Sequence, residues 1–261
     1  MAKPIIISEG KMHVAPAFWD VQSALDGFGN VVLFPQMAVV VGEKIPDDAI
    51  IYNLDPLYYG GALENIGFFD ILRKHKIVDY QKKNVDLMRS IGIEAYHLPY
   101  GYHDKLERVD QNVEKDIDVL FFGGVNNRRI KILKELEKSG LNHKIITYGC
   151  YGDELDEVVA RSKIILNFHY QDVHPLEVVR INYLLANKKL VITERGWDDD
   201  DNKLYEPGVV FSEYSNLINT CIHYLNRDDE REQIASNGQK LVRGMPMDLS
   251  ILTSLSIGRA A

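Results

Sequence analysis

Guanidiniums, carboxylates and one imidazole recur at short intervals in the middle of this chain. Gly123-Gly124-Val125-Asn126-Asn127-Arg128-Arg129 follows an apolar run at 117–122 and opens a segment of helical spacing. Where a strand hands over to a helix, backbone N–H groups and two guanidiniums can cradle a diphosphate through charge-assisted hydrogen bonds. The plainer alternative is a tight turn with a solvated basic helix start. Neither G-x-G-x-x-G nor the Gly and Lys spacing of a P-loop is present. Glu177 and Arg180 stand i and i+3 and share one helix face. A carboxylate there can accept both hydroxyls of a ribose, and the arginine beside it can take a phosphate; the alternative is a surface ion pair. His169 ends the run IILNFH. It is either structural or, at a strand end, a ligand for phosphate or sugar. Asn126, Tyr148 and Glu194 complete the polar residues at the ends of apolar runs.

His13, Trp19 and Asp20 follow the first apolar run. An imidazole or carboxylate in that loop can deprotonate an acceptor hydroxyl, which makes His13 and Asp20 the candidate catalytic pair, with capping and packing as the alternative. Asp198 to Asp201 invite a metal reading. Four adjacent aspartates cannot all face one ion, and no second cluster complements them, so a solvated loop and no metal site are expected. Motifs for a Ser or Cys nucleophile and for zinc ligation are absent.

Positioning these groups requires strands that end where they stand. Apolar runs at 117–122, 144–147, 163–168 and 190–193 each end in a polar or Gly-bearing loop, and helix-patterned segments lie between them. That alternation is the pattern of a parallel sheet with crossover helices, which binds ligands at the carboxyl ends of its strands. Upstream, runs at 4–8, 31–34, 49–53, 77–78 and 94–98 read as strands of a second, smaller α/β unit. Residues 17–28, with Phe18, Val21 and Leu25 inward, 63–75 and 81–91 read as its helices. Expected organisation is therefore an α/β domain at 1–102, a charged linker at 103–116, a Rossmann-like domain at 117–245, and a tail at 246–261 that packs back on the first domain. Asp228-Asp229-Glu230 opens the last long helical segment and suits the positive end of its dipole.

Composition bounds the rest. In 261 residues, 46% are hydrophobic and 26% charged, enough for a real core. No apolar run approaches the ~18–20 residues of a membrane span, and the start of the chain has no signal-peptide core. Cys150 and Cys221 lie far apart and match no metal spacing, so a reduced, cytoplasmic setting is expected. A net charge of −8 argues against holding nucleic acid by phosphate neutralisation, while Arg128, Arg129, Lys131 and Lys134 still allow a local basic cleft.

The runs IYNLDPL, HLPYGY, DIDVLFFGGVNNRR, YGDELDEVVARSKIILNFHY and EVVRINYLLANKKLVITE, in this order, resemble bacterial and phage family-1-like glycosyltransferases from about Ile50 to Val242. The resemblance implies the GT-B architecture: two Rossmann-like parallel-sheet domains facing across a cleft, the N-terminal one reduced here. It implies a nucleoside-diphosphate sugar, a UDP-sugar first, held by the C-terminal domain, with no required metal or other cofactor. Donor contacts would come from Gly123, Gly124, Asn126, Arg128, Arg129, Tyr148, His169, Glu177, Arg180 and Glu194. Arg128 and Arg129 match the family's phosphate-side basic pair, and Glu177 its helix carboxylate. The usual E-x(7)-E with a following Gly-Pro is replaced by Glu177 and Ala186-Asn-Lys-Lys-Leu. An acceptor hydroxyl, on a surface glycan or lipid-linked saccharide, would sit on the N-terminal domain. Two other enzyme readings are open: transfer to a hydroxymethylated base in DNA, with Lys82, Lys83 and Arg89 as scattered basic candidates, and sugar-nucleotide epimerisation. A non-catalytic nucleotide-sugar binder is the reading outside enzymology.

Overall fold

Residues 50–53 (IIYN) are buried at every position, the pattern of a parallel strand covered on both faces. The computed structural model describes residues 3–6, 21–22, 24–33, 38, 42, 44–54, 57, 66–172 and 174–257. Among these, residues up to 101 together with 247–257 form one compact unit, and 102–246 form a second. His13, Trp19 and Asp20 lie outside the described residues, as does the expected end of the first strand at Ser8. No helix among the described residues is long and apolar enough to cross a membrane.

In the first unit, β1 (Ile5–Ile6), β2 (Val31–Leu33), β3 (Ile50–Asn53), β4 (Lys76–Asp79) and β5 (Ala95–His97) pair in parallel, in sequence order. Register sets Ile51 opposite Ile77. Helices α1 (Ile66–Lys74) and α2 (Lys82–Ser90) send Phe68, Leu72, Val85 and Met88 into the core around Val32, Ile51 and Ile77. The described part of the expected helix at 17–28 is helical at 21, 22 and 24, and Val21 and Leu25 are buried as their spacing requires. The C-terminal helix α9 (Ser250–Ile257) belongs with this unit.

The second unit carries β6 (Ile117–Phe122), β7 (His143–Ile146), β8 (Ser162–Asn167), β9 (Leu190–Thr193) and β10 (Val210–Phe211). Its helices are α3 (Asn127–Lys138), α4 (Asp153–Ala160), α5 (Val178–Ala186), α6 (Asp199–Tyr205), α7 (Leu217–Leu225) and α8 (Asp228–Arg243). All five strands are parallel, in the order β10-β9-β8-β6-β7. The chain leaves β6 on one side for β7 and returns to its other side for β8. A crevice therefore opens at the carboxyl ends of β6 and β8, the topological switch point of the sheet. Val119, Phe121, Ile164, Leu166 and Ile192 build the core with Leu133, Leu136 and Leu217. Gly238 sits inside α8 because a Cβ there would lie 2.7 Å from Leu185 and 3.0 Å from the Gly208 carbonyl.

Two stretches differ from their sequence reading. Asp198 to Asp201 do not form an open loop. Asp198 caps α6 by accepting from the Asp200 N–H at 3.1 Å, and the next three aspartates fill its first turn, where the helix dipole favours negative charge. Residues 103–116, expected as a linker, pack onto the second unit. Leu106 and Val109 are buried, and the N–H groups of Arg108 and Val109 donate to Asn187 Oδ1 at 3.0 and 2.9 Å. A single buried asparagine thus replaces the apolar periodicity this stretch lacks.

Candidate functional site

Gly123 ends β6 with φ +146°, a conformation that L side chains rarely adopt, and its N–H donates to the Ile146 carbonyl at 2.9 Å. A Cβ there would also press on the guanidiniums, 3.2 Å from Arg129 Nη1 and 3.5 Å from Arg180 Nη2. Gly124 stands in the open part of the loop. Asn126 then caps α3. Its Oδ1 accepts the Arg129 N–H at 2.9 Å, and its Nδ2 donates to the Tyr170 carbonyl at 2.5 Å. One asparagine so ties the loop after β6 to the loop after β8, across the switch point.

Three guanidiniums converge on this crevice. Arg129 is 3% exposed. Its Nε and Nη2 donate to the Phe168 carbonyl at 3.1 and 2.6 Å, Nη1 to the Gly124 carbonyl at 2.9 Å, and Nη2 also to Glu177 at 3.3 Å. Arg128 grips Glu194 through both terminal nitrogens, at 2.9 and 2.6 Å, and reaches Asp172 through Nε at 2.7 Å. It also stacks on the Tyr214 ring, 4.1 Å from the centroid. Arg180 donates through Nη1 alone, to Asn167 at 2.9 Å and Glu177 at 2.8 Å. Its Nε and Nη2 meet no acceptor among the described residues. The adjacent pair is therefore spent on the protein, and the free cationic edge belongs to Arg180.

Charge states follow from these contacts. Burial pushes the Arg129 guanidinium down, with Arg180 and Arg128 adding to that and Glu177 opposing it. For Arg128 burial also lowers, but hydrogen bonds to Glu194 and Asp172 outweigh it and the net shift is upward. Burial alone would raise the Glu177 carboxyl; Arg180 and Arg129 outweigh it and hold the group at about 2, fully ionised. Glu177 stands just before α5, 17% of its side chain exposed.

His169 follows β8, where its N–H donates to Glu194 at 2.9 Å and its Nε2 to the Arg195 carbonyl at 3.0 Å. Glu194 thus binds one arginine and one backbone amide, fixing the ends of β8 and β9 together. Of the sequence candidates, Gly123, Gly124, Asn126, Arg128, Arg129, His169, Glu177, Arg180 and Glu194 meet in this one region. Tyr148 follows β7, is 66% exposed, and takes no part in the hydrogen bonds above. Asn167, Tyr170, Asp172, His174 and Tyr214 belong to the region and carry no local signal. Tyr214 donates to the Arg128 carbonyl at 2.6 Å from 86 residues away. A separate cavity of 880 Å³ runs along α4, lined by Arg108, Asp110, Glu114, Asp116, Asp153 and Asp156 among others. Two of its acids are paired, Asp156 with Arg108 and Asp116 with Arg161.

With this geometry in view, the likeness to solved proteins settles the fold. WaaG, described as a glycosyltransferase involved in lipopolysaccharide biosynthesis, superposes with a TM-score of 0.58 at 12% identity, over 99% of this chain and 86% of that one. Anabaena HepE, solved with UDP and glucose, gives 0.55 at 12% identity, over 94% and 79%. S. aureus TarM, solved with fondaparinux, alpha-GlcNAc-glycerol and UDP, gives 0.56 at 9% identity, over 93% and 57%. The fold is the Rossmann-like two-domain one of GT-B glycosyltransferases. No family model matches the chain. Protein L140 of Acanthamoeba polyphaga mimivirus, itself uncharacterised, is 28% identical over 170 residues, 61% of this chain and 55% of that protein. Protein L137 of the same virus is 26% identical over 162 residues, 58% of this chain and 22% of that protein. The chain thus matches about half, or less, of the length of these curated relatives.

Proposed function

We propose that the chain is a glycosyltransferase that moves a sugar from a nucleoside-diphosphate sugar to a hydroxyl acceptor. The observation that carries this reading is the cluster of three guanidiniums over the carboxyl ends of β6 and β8, at the switch point of a parallel sheet. As the bond between sugar and nucleotide breaks, negative charge grows on the leaving diphosphate. Preorganised guanidiniums and helix N-termini stabilise that charge without reorganising at the moment of reaction. In this reading Arg180 makes the direct contact through its uncommitted Nε and Nη2. Arg128 and Arg129 hold the loops that shape the crevice and add positive potential. Glu177 accepts the ribose hydroxyls with the lone pairs its arginines leave over.

UDP is the proposed nucleotide, on the strength of the UDP complexes of HepE and TarM, which share the fold. A saccharide acceptor, on a surface glycan or lipid-linked, is supported by the lipopolysaccharide role in WaaG's description. His13 and Asp20 are proposed to take the acceptor proton, on residue chemistry alone. The test is a panel of UDP-, GDP-, dTDP- and CMP-sugars, read by thermal shift and by nucleotide release with saccharide acceptors. UDP-sugars are expected to stabilise the protein without added Mg²⁺ and to release UDP. Stabilisation by UDP-sugars without release or transfer would leave a nucleotide-sugar binder. No response to any nucleotide would end the reading.

A further inference from the structure

Tyr170 follows His169 in the loop after β8 and is 42% exposed. Its backbone is fixed from the loop after β6, across the switch point. The Tyr170 carbonyl accepts the Asn126 amide at 2.5 Å, and the His169 carbonyl before it accepts Arg128 Nη1 at 2.9 Å. The ring rests on that same loop. A Cβ on Gly124 would lie 4.0 Å from Tyr170 Cε2, and the Arg129 guanidinium lies over the ring, 5.4 Å from its centroid. No hydrogen bond engages the Tyr170 hydroxyl among the described residues, so nothing inside the protein uses the polar tip of this side chain. Val125, next to Gly124, is 37% exposed. The crevice thus has an apolar, aromatic rim beside its cationic floor, the combination in which ligand sites place a few polar groups.

We propose that the outer face of Tyr170 is the platform on which the nucleobase of the donor stacks. The inference rests on the nucleotide-sugar reading above and adds the place of the base to it. In that reading Arg180, beside Gly123, takes the diphosphate and Glu177 takes the ribose hydroxyls. Arg129 touches both Glu177 and Tyr170: its Nη2 is 3.3 Å from Glu177 Oε1, and its Cζ is 5.4 Å from the Tyr170 centroid. Carboxylate and ring therefore flank one guanidinium. A base is joined directly to its ribose, so a nucleoside with its hydroxyls on Glu177 brings its base within reach of Tyr170. The transferred sugar, by contrast, is separated from the ribose by two phosphates.

Arg129 behind the ring holds its plane, so little side-chain freedom is lost when a ligand settles on the other face. Every nucleobase presents a π-face, and stacking tolerates them all. Tyr170 accordingly anchors the base without choosing which base it is.

The test is calorimetry of UDP, UDP-glucose and inorganic pyrophosphate on the full chain, as wild type, Tyr170→Ala and Tyr170→Phe, with folding checked by circular dichroism. Tyr170→Ala is expected to weaken UDP and UDP-glucose alike by about 10- to 100-fold, the order expected when a stacked base loses its aromatic partner. Pyrophosphate carries no base and should stay within about twofold, as should UDP on Tyr170→Phe, which keeps the ring. A folded Tyr170→Ala protein with wild-type UDP affinity overturns the assignment. So does a loss confined to UDP-glucose, which would put the transferred sugar on the ring. An equal loss of pyrophosphate overturns it too, since Tyr170 would then act only by holding Arg129. If Tyr170→Ala does not fold, Tyr170→Trp decides: UDP should quench the added indole, and unchanged fluorescence overturns the platform. UDP binding that survives Tyr170→Ala but is lost in Arg180→Ala removes the base assignment alone. Wild-type protein that does not bind UDP removes the nucleotide reading itself.

Discussion

Both sheets carry a polar network at the carboxyl ends of their strands, and the two networks are built on opposite terms. In the first unit Asp79 is fully buried and ringed by neutral donors. Asn53 Nδ2 donates to it at 2.7 Å, the Gln81 N–H at 2.7 Å, and Asn84 Nδ2 at 3.0 and 3.3 Å. The described strands of that sheet run in sequence order, so no switch point opens among them. These amides hold its carboxylate as a structural staple. The second sheet does have a switch point, and there one of three guanidiniums is engaged by the protein on one terminal nitrogen alone. Among the described residues Arg180 Nε and Nη2 meet no acceptor, and His169 Nδ1 is buried without a hydrogen-bond partner. A polar cluster at a strand end is a ligand site when its valences are left over, and a staple when they are not.

The largest effect should come from breaking the staple. Asp79→Ala leaves two buried amides and a backbone N–H without their acceptor, a loss on the order of 3–5 kcal/mol. Urea denaturation should show that loss, while UDP affinity below the transition stays within about twofold. An Asp79→Ala protein that is stable but fails to bind UDP would reverse the roles assigned to the two sheets.

Lys189 tests how a poorly satisfied buried charge behaves. It is 1% exposed and its Nζ has a single protein acceptor among the described residues, the Ala160 carbonyl at 2.8 Å. Burial, with Lys115 adding to it, pushes this ammonium down to about 7. The unfolded chain keeps its ordinary value near 10.4, so between these values the unfolded state holds more protons and stability rises with pH. Lys189→Met should therefore raise stability at pH 7 by about 1–3 kcal/mol after the lost hydrogen bond is counted. That advantage should fade toward pH 10. Melting curves across this range check it, and a Met variant less stable at pH 7 would show that the ammonium is well satisfied.

The smallest effect belongs to the rim. Asp172 is 92% exposed at the edge of the arginine cluster. Asp172→Asn should change stability by no more than ~1 kcal/mol and leave the crevice intact, as for other exposed pairs. A larger loss in chemical denaturation would mean that Arg128 depends on this carboxylate for its position.

How far the sequence could be read depends on the range of each interaction. Strand ends and helix faces are local, so the alternation of apolar runs reveals both parallel sheets, and most of the site residues stand at those ends. The acidic first turn after Asp198 was also local, a helix start readable from an N-cap aspartate and a dipole. Other features were out of reach. Nothing near Arg128 or Arg129 announces that the Phe168 carbonyl, 39 residues on, and Glu194, 66 residues on, will consume their donors. Strand order is equally non-local, since the same runs would fit a sheet without a switch point. The packing of residues 103–116 hangs on Asn187, nearly 80 positions away.

Calorimetry of UDP binding to the wild type and Arg180→Ala, without divalent ions and with folding checked by circular dichroism, tests the central claim most directly. The account predicts measurable wild-type binding that weakens about 10- to 100-fold, roughly 1.4–2.7 kcal/mol, when Arg180 is truncated. Wild-type protein that does not bind UDP, or a folded Arg180→Ala protein that binds it equally well, would contradict the assignment of the crevice between β6 and β8 as the nucleotide site.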